Sequence, residues 1–238
     1  MCAMSSELQQ YITGLTNEIS RGHFDEAVRL GEKALVMEEL HGEGNKSLLG
    51  EVYRNMAAAS DRLGQNDTAL KYINQAYDIH DAAANESPGA EMLRERLATA
   101  SYVGIFALKA YLLADGRRDE ALADKARLMT RQAEQDMAKV NQLSKEENAD
   151  QYEINMASRW SMIESLVGDK QRGLALAGRA IRLAWQSERD QQKGLTGRDI
   201  LRARTRAALR GMAAVAVNAA SRFGATRDIA EKIALKTL

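Results

Sequence analysis

Apolar residues recur every three to four positions along most of the 238-residue chain, in long blocks separated by short polar breaks. The spacing predicts helices near 6–21, 24–40, 47–63, 66–84, 90–115, 117–143, 149–167, 170–188, 198–223 and 226–238. No block alternates with the period of two that a half-buried strand requires. The longer breaks are His41 to Lys46, Glu86 to Gly89 with the only proline, Ser144 to Ala149, and Arg189 to Gly197. The most apolar stretch, Leu97 to Ala114, carries a single charge, Lys109. It approaches the lower length limit of a membrane span, but among amphipathic neighbours it reads as a buried central helix. A buried ammonium is costly unless paired, so either that helix keeps one stripe wet or Lys109 meets a carboxylate.

The tighter breaks share a pattern. Glycine is followed by polar residues and then by an alanine that opens an alanine-spaced helix. The copies are Gly22-His23-Phe24-Asp25-Glu26-Ala27 with Ala34, Gly64-Gln65-Asn66-Asp67-Thr68-Ala69 with Ala76, and Gly116-Arg117-Arg118-Asp119-Glu120-Ala121. A weaker copy is Gly168-Asp169-Lys170-Gln171-Arg172-Gly173 with Ala180, and the weakest runs from Gly224 to Ile229. Glycine can end a helix in the left-handed conformation that a Cβ opposes. Acidic or amide residues just after it complement the free N–H groups of the next helix. Alanines seven apart share one stripe, where small side chains let antiparallel helices approach.

These blocks resemble tetratricopeptide repeats, whose turn reads glycine, polar, aromatic or polar, acidic, acidic, alanine. The first two copies lie 42 residues apart, similar to the elongated repeats of kinesin light chain and of bacterial peptide-sensing regulators. The resemblance implies an all-α fold, a right-handed αα-hairpin solenoid of about five TPR-like helix pairs. Residues 1–190 would form the repeat array, and 191–238 a C-terminal helical pair serving as divergent repeat, cap or oligomerisation element. A closed helix bundle is the alternative, and the recurring turn favours the solenoid.

Composition supports helices throughout: one proline, 5% aromatics, 45% apolar and 28% charged residues suit a folded, proline-poor chain. One cysteine, Cys2, allows no internal disulfide, and the N-terminal residues lack the basic and apolar regions of a secretory signal. A cytoplasmic location without membrane contact is the expectation. Formal charge is zero, but residues 1–120 carry 12 basic and 19 acidic residues, and residues 121–238 carry 21 and 14. Such a dipolar chain can offer a basic end to an acidic ligand or stack on another copy.

Catalytic motifs are missing. His23, His41 and His80 lie in the first third without metal-ligand spacing, and no nucleophile elbow, phosphate-binding loop or dinucleotide fingerprint occurs. The sequence therefore calls for no catalytic residue, metal or cofactor. In the tetratricopeptide fold the first helix of each pair lines a concave groove. Counting back from the turn glycines, the resemblance places Arg54, Asn55, Asn155 and Arg159 on that inner face. Asparagine can donate to and accept from a peptide backbone, and arginine can hold a carboxylate bidentately. The carboxylate clamp of chaperone-tail binders is not matched, since Ile12, Thr16, Val103 and Ala107 occupy its places. Arg198, Arg202, Arg206 and Arg210 share one helical face and suit an acidic partner. Without interleaved aromatics or a recognisable module, that row is a poor nucleic-acid reader. The run Gly211 to Ala220, with Met212, Val215 and Val217, is expected to pack on both sides as a cap or dimer surface.

The functional expectation is a non-catalytic scaffold or adaptor holding a peptide segment or partner protein in the groove. The alternatives are a ligand- or peptide-sensing regulator and a structural subunit of a larger assembly, which would include homo-oligomers.

Overall fold

A computed structural model describes residues 6–42, 45–114, 119–143, 149–186, 209, 212–213, 215–216 and 227–237. All regular structure among them is helical: α1 (Ser6–Arg21), α2 (Phe24–Leu35), a 3-10 turn (Glu38–His41), α3 (Lys46–Arg62), α4 (Asn66–Glu86), α5 (Ala90–Leu113), α6 (Glu120–Leu143), α7 (Ala149–Val167), α8 (Lys170–Gln186) and α9 (Arg227–Thr237). The expected helix over 24–40 stops at Leu35 and resumes as the 3-10 turn. The segment 198–223 lies almost wholly outside the described residues, as do the turns at Gly116 and Gly224.

The chain divides into two compact units. The first takes residues 1–106 and 132–143, the second residues 107–131 and 144–238, so the division passes through α5 and α6.

In the first unit, α1 packs on α2, α2 on α3, and α3 on both α4 and α1. The α1–α2 and α3–α4 turns have one geometry. Gly22 and Gly64 adopt φ of 82° and 75°, the only positive values among the described residues. The His23 N–H donates to the Glu18 carbonyl and the Gln65 N–H to that of Ser60, both at 2.9 Å. The Gly22 and Gly64 N–H groups donate to Ile19 and Asp61 at 3.1 Å. This is the Schellman arrangement, which satisfies the last carbonyls of the first helix and reverses the chain. A Cβ would meet nothing within 4 Å at either glycine, so backbone conformation alone calls for glycine there. At the other end of the α3–α4 pair, Lys46 Nζ donates to Glu86 Oε2 at 3.1 Å, so the two helices run antiparallel.

The alanine stripes are buried: Ala27, Ala34, Ala69 and Ala76 are each at most 1% exposed. Leu8, Leu15, Leu40, Val52 and Met56 close the core around the first pair. Each such large side chain contributes about 1.5–3 kcal/mol of transfer free energy. Mid-helix glycines make room for neighbours. A Cβ on Gly31 would stand 2.4 Å from Met56 Cγ, and one on Gly50 would stand 2.2 Å from His80 Nε2.

In the second unit, α7 packs on α8 and touches α9. Met162, Ala177, Ala230 and Ala234 form a core, with Leu112, Leu166, Ala213 and Ile233 against it. The turn at Gly168 departs from the expected left-handed form, because φ there is not positive. The Asp169 N–H donates to Glu164 Oε2 at 2.8 Å, and Asp169 Oδ1 accepts from the N–H of Gln171, also at 2.8 Å, at the start of α8. A Cβ on Gly168 would lie 2.0 Å from Glu164 Oε2. Glycine is required here by space. A fourth close approach occurs at Gly173 of α8, where a Cβ would come within 2.9 Å of the Ser165 backbone nitrogen.

The middle of α5 is buried around its circumference: Val103, Ile105, Phe106, Ala107 and Leu108 are at most 5% exposed. Lys109 sits half-buried at its margin. No described helix is long and apolar enough to cross a membrane. Most of the run Gly211 to Ala220 lies outside the described residues; within it Ala213 packs against the core of the second unit, and Met212 and Val215 are exposed.

Candidate functional site

Polar groups concentrate in the first unit where α3, α4, α5 and the end of α6 meet. Arg54 and Asn55, on the second half of α3, are both half-buried. The Arg54 guanidinium donates through Nη1 to Glu95 Oε2 on α5. The arginine expected to grip a ligand carboxylate thus holds a carboxylate of its own chain, forty-one residues away. Beside it, Tyr53 and Tyr72 stack in a tilted pair with centroids 6.1 Å apart.

His80 is wholly buried on α4. Its Nδ1 is 2.7 Å from Thr99 Oγ1 on α5, and its Nε2 is 3.4 Å from the Ser47 carbonyl on α3. Burial, with the cationic Arg54 nearby, pushes the imidazole below its ordinary pKa, while Glu95 and the Ser47 carbonyl pull the other way. The ring is neutral near pH 7. Gly50 supplies the flat seat on α3 against which the imidazole rests.

A second node gathers on the far side of α5. Arg96 donates from Nε and Nη2 to the two oxygens of Asp136 on α6, at 2.8 and 2.7 Å. Its Nη1 donates to Asp81 at 2.9 Å and to the Asn85 side-chain oxygen at 3.1 Å, both on α4. Side-chain exposure is 7% for Arg96 and 0% for Asp136. Asp136, through its hydrogen bonds, holds the guanidinium charge even more firmly than usual. Tyr77 is pushed up to about 12 by burial and the nearby Asp81, so its phenol stays protonated. Outside this node opens a cleft of about 450 Å³ lined by Ala84, Asn85, Pro88, Leu93, Arg96 and Lys139, with Gln142 and Leu143 at one side. Since Arg96 is committed to two carboxylates, it adds shape and not charge to that cleft.

Arg159 lies half-buried on α7 in the second unit, and Asn155 precedes it by one helical turn. Arg54 and Asn55 belong to the first unit, so each pair stands as a local feature. Arg198, Arg202, Arg206 and Arg210 lie outside the described residues. Of the positions that depart from a carboxylate clamp, Thr16 is exposed, whereas Ile12, Val103 and Ala107 are buried in packing and offer nothing to a groove.

The second unit also contains a wholly buried carboxylate, Glu164. Its Oε1 stands 3.3 Å from Arg172 Nε without hydrogen-bond alignment. Burial and the neighbouring Arg131 lower the Arg172 pKa. On the same helix pair, Arg179 bonds to Glu153. Nearby, Arg127 donates to the Val167 carbonyl at the end of α7 and to Asp124.

Glu95, Thr99, Arg96 and Asp136 escape sequence reasoning. Each acts on a residue in another helix, and only the adjacent charges Glu95-Arg96 at the edge of an apolar stretch hint at pairing. No group of three or more histidine, cysteine, aspartate or glutamate side chains among the described residues could hold a metal ion. No family model matches the chain, and no curated protein shows significant similarity to it.

Proposed function

We propose that the chain is a non-catalytic scaffold or adaptor of tetratricopeptide-like helix pairs, holding a peptide segment or partner protein along the inner face of its first helices. One observation carries the reading: the turns at Gly22 and Gly64 repeat hydrogen bond for hydrogen bond in a 42-residue register. Stacked repeats need such a recurring turn, because each pair must present the same faces to the next. Contact between α1 and α3, and the Arg54–Glu95 bridge from α3 to α5, support this reading. Arg54 and Asn55 are the contact residues in this reading, with Asn155 and Arg159 as counterparts in the second unit. Any ligand carboxylate reaching Arg54 must compete with Glu95.

The test is a peptide array of acidic and amide-rich segments probed with the full chain and with Arg54→Gln/Asn55→Ala. Peptides held by wild type and lost at least tenfold by the folded variant support the groove. Equal retention moves binding off the inner face, and an array without retained peptides sinks the adaptor reading. Enclosure of α5 around its middle favours a second reading, a structural subunit whose helices pack with no open groove there. Cytoplasmic residence and the absence of membrane contact belong to the same proposal.

A further inference from the structure

His80 is the one histidine among the described residues that is wholly buried, and its surroundings serve two protonation states. Both ring nitrogens face oxygen: Nδ1 faces Thr99 Oγ1 at 2.7 Å and Nε2 faces the Ser47 carbonyl at 3.4 Å. A carbonyl can only accept, so the neutral ring carries its proton on Nε2 and directs it to Ser47. Nδ1 then needs a donor, and the Thr99 hydroxyl provides one. That hydroxyl has a second outlet, the Glu95 backbone carbonyl, also 2.7 Å away. When a proton arrives at Nδ1, the hydroxyl turns to Glu95 and its oxygen accepts from the new N–H. Neither state leaves a ring nitrogen facing an orphaned partner, so the cost of protonation is electrostatic.

The charged groups acting on the ring come from the two helices packed on α4: Arg54 from α3 and Glu95 from α5. On α4 itself, Asp81 faces away to Arg96, with Tyr77 near that pair. Arg54 and Glu95 are bonded to each other. A second cation beneath them shares the single Glu95 carboxylate and repels Arg54.

The geometry points to His80 as a proton-operated switch, in which rotation of the Thr99 hydroxyl admits the proton and the resulting imidazolium loosens the Arg54–Glu95 bridge between α3 and α5. No new atoms move far: one proton arrives from solvent, one hydroxyl rotates, and one ion pair weakens. Acidification thereby frees the Arg54 guanidinium and relaxes the packing of α3 on α5. The switch is a property of the fold and stands whether or not a peptide occupies the inner face.

The experiment is ring NMR of the full chain across pH, with the His80 signal assigned by its loss in His80→Gln. His80 is expected to titrate below the ordinary histidine range. Arg54→Gln is expected to move the midpoint up and Glu95→Gln to move it down, opposite shifts that generic destabilisation would not produce. Thr99→Val, lacking the rotor, lowers the midpoint further, and Thr99→Ser restores it. Amide exchange, corrected for its intrinsic pH dependence, reads the consequence. Between pH 7.5 and 5, residues 51–58 of α3 and 95–99 of α5 should lose about tenfold in protection, the population change that one pH unit brings. Thr99→Val should suppress that loss and Thr99→Ser should keep it, which decides the matter even where His80→Gln fails to fold. A ring that stays neutral until the chain unfolds would overturn the proposal. So would a midpoint indifferent to Arg54 and Glu95, or an acid loosening that persists unchanged in Thr99→Val.

Discussion

Arg96 in the first unit and Glu164 in the second are both taken almost wholly out of water, yet their surroundings treat them differently. Arg96 meets two carboxylates and an amide oxygen in good geometry, drawn from α4 and α6. Glu164 has one oxygen bonded to the Asp169 N–H, while the other accepts no hydrogen bond among the described residues. The turns differ in parallel. Gly64 is needed for its left-handed φ, and Gly168 for the room its missing Cβ leaves beside Glu164. The same glycine-polar-alanine text therefore records two physical requirements. A complete network makes its members mutually dependent, whereas an incomplete one makes them individually replaceable.

The largest effect should come from breaking the complete network. Asp136→Ala strands Arg96 without its bidentate partner and is expected to cost about 3–5 kcal/mol in urea unfolding. Replacing both, Arg96→Met with Asp136→Leu, should return most of that loss, because the expense lies in an uncompensated charge. A double replacement as damaging as the single one would show that the pair itself supplies the stability.

Next comes Gly168→Ala. Its Cβ must displace the buried Glu164 carboxylate, at about 1–3 kcal/mol, and Gly168→Asn should fare no better. Acid sensitivity follows, confined to the first unit. The His80 pKa is lowered on folding, so its contribution is fully present above the unfolded value of about 6.5 and is lost as pH falls toward the folded value. The slope cannot exceed about 1.4 kcal/mol per pH unit for one proton. Unfolding curves from pH 7.5 to 5 should show it in wild type and not in His80→Gln.

Gly64→Ala should cost about 1 kcal/mol through its left-handed backbone, and Gly64→Asn should recover much of it. That rescue, compared with its failure at Gly168, is the sharpest test of the two turn types. Smallest of all, Glu164→Gln retains an acceptor for the Asp169 N–H. It should change stability by less than about 1 kcal/mol. A loss as large as that of Asp136→Ala would erase the contrast between the units.

The helices themselves were legible from the chain. Alanines at 27, 34, 69 and 76 marked buried stripes, and the polar residues after Gly22 and Gly64 marked helix starts, because both signals act within a few residues of where they are written. The burial of the stretch from Leu97 to Leu108 was legible for the same reason, although Leu113 near its end is exposed. The candidate site was only half legible. Arg54 and Asn55 could be placed on a helix face, but Glu95, which occupies Arg54, lies forty-one residues on and carries no local mark. His80 looked like any helix residue, since the seat on Gly50 and the Thr99 hydroxyl exist only once α3, α4 and α5 are packed.

By itself, then, the sequence determined where most of the described helices begin and end, though not the stop of α2 at Leu35. It also determined the buried alanine stripes of α2 and α4 and a 42-residue register between two turns. Those are consequences of local sterics and of periodicity, which the chain carries residue by residue. Only the tertiary structure decided the partners: Arg96 with Asp136, Arg54 with Glu95, His80 with Thr99, and Gly168 against Glu164. Burial is a property of a helix face, but pairing depends on which faces meet, and removing water from a charge makes that meeting decisive.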